Sequence, residues 1–160
     1  MLADTHVRRG GSRRLPDVVY DELERADVIL HAGDVVAPEL LDELRGFAPV
    51  HAVLGNNDAE LVGRLPETEE VTLDGVATAL IHDSGPRAGR DGRMARRFPD
   101  ARIVVYGHSH IPDNHEGSGG QLLFNPGSPT DRRMQPRHTY GVLELDAGRL
   151  VSGRVIPVEP

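Results

Sequence analysis

Five short apolar runs in this chain each stop at residues that bind metal ions, and this repeated coupling restricts the fold more than any single motif. MLA leads into Asp4-Thr5-His6, DVIL into His31-Ala32-Gly33-Asp34, and PVHAVL into Gly55-Asn56-Asn57-Asp58. VATALI leads into His82-Asp83, and ARIVVY into Gly107-His108-Ser109-His110. In open α/β sheets, ligands bind outside the carboxyl ends of the strands. Five such junctions therefore predict strand ends that converge on one polynuclear metal site.

Between the runs lie helix signals. Leu15-Pro16-Asp17 followed by VVYDELERA places Val18, Val19, Leu23 and Ala26 on one stripe, and Pro38 opens ELLDELR with Gly46 as its stop. Strand then helix then strand indicates parallel βαβ units. After Asp58 the pattern changes: EEVTL and VATALI around Asp74-Gly75 predict an antiparallel hairpin, RDGRMARRF a helix and IVVY a strand. Beyond His110 only strands are expected (GQLLFNPGS, TYGVLELD and RLVSGRVIPV), with Gly117-Ser118-Gly119-Gly120 as a hairpin loop. The expectation is an α/β fold with two sheets packed face to face between helices, in one domain over residues 1–160. Its first strand is a puzzle, because Asp4 comes three residues from the start whereas strands average about five or six. A truncated or misassigned start is expected, with some loss of core burial and backbone pairing.

Composition narrows the chemistry. The chain has no cysteine, which removes disulfides, thiolate zinc sites and thiol nucleophiles. Any metal must be held by His, Asp, Asn or Glu, a nitrogen and oxygen set suited to Mn, Fe, Ni, Co or Zn. A net charge of -7 argues against a general nucleic-acid surface. No apolar run is long enough to cross a bilayer and no leader resembles a signal peptide, so a cytoplasmic protein without membrane partners is expected.

Each cluster offers suitable donors. Asp4 and His6, like His108 and His110, are two residues apart and would point to one side of an extended chain. The Asp34 carboxylate has two oxygens with which to bridge two cations, Asn56 offers a neutral carbonyl oxygen, and His82 a further imidazole. Seven donors exceed what one closed structural site requires, and two metals roughly 3.5–4 Å apart suit displacement at phosphorus. Phosphoester hydrolysis is the reaction that fits.

In this order, the motifs resemble those of the calcineurin-like metallophosphoesterase superfamily, and with Asn125-Pro126-Gly127-Ser128 they are most similar to its compact YfcE-type phosphodiesterases. The resemblance implies a four-layer α/β/β/α sandwich with two mixed sheets. It also implies two divalent metal ions, Mn first and Fe, Ni, Co or Zn as alternatives. Asp4, His6 and His110 would hold the first, Asp34 would bridge, and Asn56, His82 and His108 would hold the second. A metal-bridging hydroxide would attack a small phosphoester, a phosphodiester in preference to a monoester. Asn57 and Asp58 are the catalytic candidates, and Asn56, Asn57 and Arg137 the substrate contacts; a homo-oligomer is allowed.

Departures from the family pattern bear on the chemistry. Asn57 stands where many members carry His, and an amide supplies no proton near neutrality. The leaving group must then be protonated by water or another residue, or be a good one. Val7 and Asp83 replace glycines common in the family. Arg132 and Arg133 beside Arg137, and Arg8, Arg9, Arg13 and Arg14 after the first motif, could grip phosphate or simply face solvent. His31 and His51 are read as packed histidines, and His115 and His138 as solvent-facing. The competing reading is a non-catalytic scaffold on the same fold, as in the retromer subunit that resembles these enzymes.

Overall fold

The computed structural model describes residues 1–158; residues 159 and 160 of the expected domain lie outside the described residues. Two helices form the first layer. In α1 (Asp17–Leu23), entered from Pro16, Val19 and Leu23 are one turn apart and buried. In α2 (Pro38–Arg45), Pro38 occupies the first turn and Leu40, Leu41 and Leu44 form the buried stripe. Gly46 follows as expected, although in right-handed helical conformation at φ -68°. Both helices pack on β1 (Ile29–His31) and β2 (Val50–Ala52), which pair in parallel.

The first segment lies beside β1. Leu2 N–H donates to the Leu30 carbonyl at 2.8 Å and Ala32 N–H to the Leu2 carbonyl at 2.9 Å. On its other side Met1 exchanges both backbone hydrogen bonds with Gly141, at 2.6 and 3.0 Å. Gly141 belongs to β8 (Thr139–Asp146), which pairs antiparallel with β9 (Arg149–Pro157). Residues 1–3 thus join β1 and β2 to β8 and β9, making one sheet of what would otherwise be two ribbons. This differs from the expected separate C-terminal antiparallel sheet.

The second sheet has the order β3 (Thr68–Leu73), β4 (Val76–Ile81), β5 (Ile103–Val105), β7 (Leu122–Asn125), β6 (Asp113–Glu116). It is mixed: β4, β5 and β7 are parallel, and the two edge strands antiparallel. Asp74 and Gly75 both have positive φ, +43° and +77°, as a two-residue hairpin turn requires. β6, Asp-Asn-His-Glu in sequence, carries no strand signal because it is a polar edge.

Alternation along the strands sorts side chains into layers. Ile103, Val105, Leu122 and Phe124 meet Ala3, Leu30 and Val53 between the sheets, whereas Val104, Tyr106 and Leu123 face Met94 and Phe98. Those last two lie on or beside α3 (Arg90–Arg97), one turn apart. The result is the four-layer α/β/β/α sandwich, with the carboxyl ends of β1, β2, β4 and β5 and the end of the first segment on one rim. No helix among the described residues is long and apolar enough to cross a membrane.

Candidate metal centre

Backbone pairing continues past the strands and aligns the first two clusters. Asp4 N–H donates to the Gly33 carbonyl and His6 N–H to the Asp34 carbonyl, each at 2.9 Å. The chain is no longer extended there. Asp4, His6, Asp34, His108 and His110 all lie at φ between +46° and +68°, a region costly to residues with a Cβ. Asp4 and His6 therefore come together by turning, and not by the alternation of a strand.

The structure brings together all seven predicted donors. His6 Nε2 lies 3.2 Å from His110 Nε2 and 3.5 Å from Asp34 Oδ2, and His110 Nε2 is 3.5 Å from Asp4 Oδ1. On the other side, Asn56 Oδ1 is 3.0 Å from His82 Nε2 and 2.9 Å from His108 Nδ1. His82 Nε2 is also 3.5 Å from Asp34 Oδ2, so Asp34 stands between the two groups. Single donor atoms of Asp4, His6 and His110 lie within 4.8 Å of one another, as do those of Asp4, Asp34 and His82. Asp4 thus reaches toward both groups, closer to the second than the expected partition implies.

Carbonyl oxygens fix two of the imidazoles. A carbonyl only accepts, so His82 Nδ1 donates to Ala32 at 2.7 Å and His110 Nδ1 donates to Asp131, which turns each Nε2 into the site. Burial pushes His6 and His110 below the usual histidine range, which keeps them neutral. Burial opposes charge on His82 too, but bonds to Asp34 and the Ala32 carbonyl outweigh it and raise the ring. For Asp34, burial is overcome by hydrogen bonds from His82 and Asn57, which hold the carboxyl below its ordinary range. Asp4 goes the other way: burial, against the pull of His82, pushes it up to about 7.

The donors fit a divalent cation. Asp4 Oδ2 is buried without a hydrogen-bond partner among the described residues, and the His6 and His110 Nε2 atoms face each other. Clustered imidazole nitrogens and an orphaned carboxylate oxygen are stabilised by a positive ion between them.

Asn57 and Asp58 turn out to be anchored to the backbone and to Asp34. Asn57 donates to Asp34 through its N–H (2.8 Å) and through Nδ2 (2.7 Å). The buried Asp58 carboxylate accepts three backbone N–H groups, from Asp34 (2.9 Å), Gly55 (2.7 Å) and Val36 (2.7 Å). With its oxygens so engaged, Asp58 holds the loops around Asp34, Val36 and Gly55 in place. Gly55 is obligatory beside it, since a Cβ there would sit 2.1 Å from Asp34 N and Oδ1.

Other supports come from the Asn125-Pro126-Gly127-Ser128 segment and from Thr130 just beyond it. Ser128 Oγ donates to the Asp4 carbonyl at 2.7 Å, Thr130 Oγ1 to the Thr5 carbonyl at 2.5 Å, and Asn125 Nδ2 to the Gly107 carbonyl at 3.1 Å. The Asn-Pro-Gly-Ser segment so ties the first and last metal motifs together. Its turn composition is legible, but its target depends on tertiary pairing.

A cleft of about 480 Å³ opens from His6 and Asn57 and is lined also by Arg8, Arg13, Asp131 and Arg133. Arg137, the expected substrate contact, is exposed and lies outside this lining. Arg9 and Arg14 pair with Glu39 (2.5 Å) and Asp17 (3.4 Å). His31 is buried against Thr5 Oγ1 at 3.1 Å, burial lowering it to about 3, and His51 pairs with Glu69 at 2.6 Å. His115 does not simply face solvent, being held by Asp113 at 2.8 Å and Asp91 at 3.3 Å.

A four-layer sandwich that gathers imidazoles and carboxylates at its strand ends defines a class of divalent-metal-binding α/β/β/α proteins. The chain belongs to the calcineurin-like phosphoesterase superfamily, whose domain it matches over residues 1–148. It is similar to a probable metallophosphoesterase of Methanothermobacter thermautotrophicus, 32% identical over 94% of this chain and 87% of that protein. Wild-type Vps29 of Entamoeba histolytica, in complex with zinc, is 27% identical with a TM-score of 0.77, covering 98% of this chain and 96% of that one. A novel archaeal phosphodiesterase has the same fold at 20% identity, with a TM-score of 0.72 over 98% of this chain and 97% of that one.

Proposed function

We propose that the chain is a dinuclear phosphoesterase acting on small phosphodiesters in preference to monoesters, with Mn as the first metal to test. The observation that carries this reading is the pairing of two donor groups across one carboxylate, Asp34. Asp4, His6 and His110 would hold one ion, Asn56, His82 and His108 the other, and Asp34 both. Bound there, the ions supply Lewis acidity toward phosphoryl oxygens and generate a water-derived nucleophile at neutral pH.

The chain's own residues do the rest. Carbonyl bonds to His82 and His110 orient their Nε2 atoms, and Asn57 holds Asp34 by both of its oxygens. Where Asn57 faces the cleft, its amide is a neutral contact for an anionic ester. It offers no dissociable proton, so water protonates the leaving group and good leaving groups are favoured.

The test is metal content together with turnover. After Mn loading and desalting, elemental analysis should give two ions per chain, and bis(4-nitrophenyl) phosphate should be cleaved faster than 4-nitrophenyl phosphate. Asp34→Ala should lose both metal and activity. A metal-saturated protein that cleaves neither ester points instead to a scaffold on this fold.

A further inference from the structure

The chain carries a net charge of -7, yet the cleft beside the donor cluster sets three arginines, Arg8, Arg13 and Arg133, against one acid, Asp131. Among the described residues the Arg8 and Arg133 guanidinium groups have no acid partner within ion-pair distance. Arg13 reaches Asp131 Oδ2 at 3.4 Å in a partly exposed pair, an arrangement worth about 0–1 kcal/mol. An anion entering the cleft can displace that contact at little cost.

The cleft is also joined to the donor cluster. Asp131 accepts His110 Nδ1–H through its carbonyl, while its carboxylate meets Arg13 and the Arg133 backbone N–H at 3.4 Å. Arg133 is held at φ +48°, and its positive charge is felt at Asp4, His6 and His110. At about 480 Å³ the cleft is within the ~300–1,000 Å³ range of small-molecule sites, larger than one phosphoryl group needs.

We propose that this cleft is a subsite for a second phosphoryl-type anion on the substrate, carried by the ester arm beside the scissile phosphorus and gripped by Arg13 and Arg133. The proposal rests on the phosphoesterase reading and names its substrate class. Guanidinium forks match phosphoryl oxygens in pairs, and a hydrogen bond to a charged group is worth about 1.5–3 kcal/mol, or roughly 10- to 100-fold in binding.

Two measurements test it. On the Mn-loaded protein, kcat/KM is compared for 2-phosphonoethyl 4-nitrophenyl phosphate and propyl 4-nitrophenyl phosphate, which share one leaving group. The phosphonate ester should be preferred at least about tenfold. That preference should collapse in Arg13→Ala/Arg133→Ala, through KM, and persist in Arg9→Ala, outside the cleft. Independently, calorimetry of inorganic pyrophosphate into chelator-treated protein should show binding that weakens at least about tenfold in the double variant and is retained in Arg9→Ala. Equal use of the two esters with hydrolysis intact, or pyrophosphate binding indifferent to the double variant, overturns the subsite while leaving the phosphoesterase standing. If neither ester is cleaved, the phosphoesterase reading fails, and calorimetry alone still decides whether the cleft binds the anion.

Discussion

Asp58→Asn separates a loop clamp from a catalytic acid. In the native protein Asp58 Oδ2 accepts from Asp34 and Gly55, and Oδ1 from Val36. An asparagine has one carbonyl oxygen. Facing it toward Asp34 and Gly55 sets its amide N–H₂ against the Val36 N–H, which loses its acceptor at about 1–3 kcal/mol. The two remaining bonds lose their charge assistance, about 1 kcal/mol each. Val36, a β-branched residue at φ +77°, also loses the bond that holds it there. The sum is about 3–5 kcal/mol of lost stability.

Denaturant unfolding of the metal-free protein, with the slope checked for constancy, reads that loss directly. Mn affinity should fall in parallel, because the bond that anchors the Asp34 backbone is weakened and its neighbour Val36 is released. Should Asp58→Asn unfold within about 1 kcal/mol of the native protein, bind Mn normally and yet lose turnover, the clamp argument is wrong and Asp58 acts in catalysis.

Asp4 carries a pH signature: its folded value lies above its unfolded one, so its contribution is fully present below about pH 4 and lost as pH rises to about 7. The rise from 3.8 to about 7 corresponds to about 4 kcal/mol, so metal-free Asp4→Asn should gain on the native protein by about that amount between pH 4 and 7 in paired urea melts; a flat difference contradicts the buried carboxyl. Metal binding needs the same proton removed, so Mn affinity by calorimetry should rise through that window and level off above it. Gly33→Ala should cost about 2–5 kcal/mol in denaturant melts, since φ is +88° and a Cβ would lie 2.6 Å from His82 Nδ1. With water as proton donor, turnover of a series of aryl phosphodiesters should fall steadily as the leaving phenol becomes more basic; a flat series would reveal a general acid in the chain.

The legible parts of this protein are those governed by local rules. The Asp74-Gly75 turn, the stripes of α1 and α2 and the order of the donor motifs could be read directly, because turn dihedrals, helical period and strand ends each leave a mark of a few residues. The sheet assignment of the last strands was not legible. Nothing in TYGVLELD distinguishes pairing with Met1 from pairing with β7, since both need only an apolar alternating edge. Which of the arginines meets the cleft is not legible for a similar reason, since it depends on how residues 8–14 and 128–137 fold against each other.

Strain links these two levels. Five of the seven donors occupy left-handed backbone, each at order 1–3 kcal/mol for a residue with a side chain. Such conformations persist only where neighbours over-determine them, and the neighbours are on view: Asp58 grips the Asp34 and Val36 amides, Ser128 the Asp4 carbonyl and Asn125 the Gly107 carbonyl. These clamps lie at least 18 residues from most of the groups they hold, so their purpose is hidden until the chain is folded. The donors announce themselves by residue type, whereas the clamps that make them converge do so only by geometry. Removing a clamp should therefore resemble removing a ligand in metal affinity, yet differ from it by destabilising the metal-free protein.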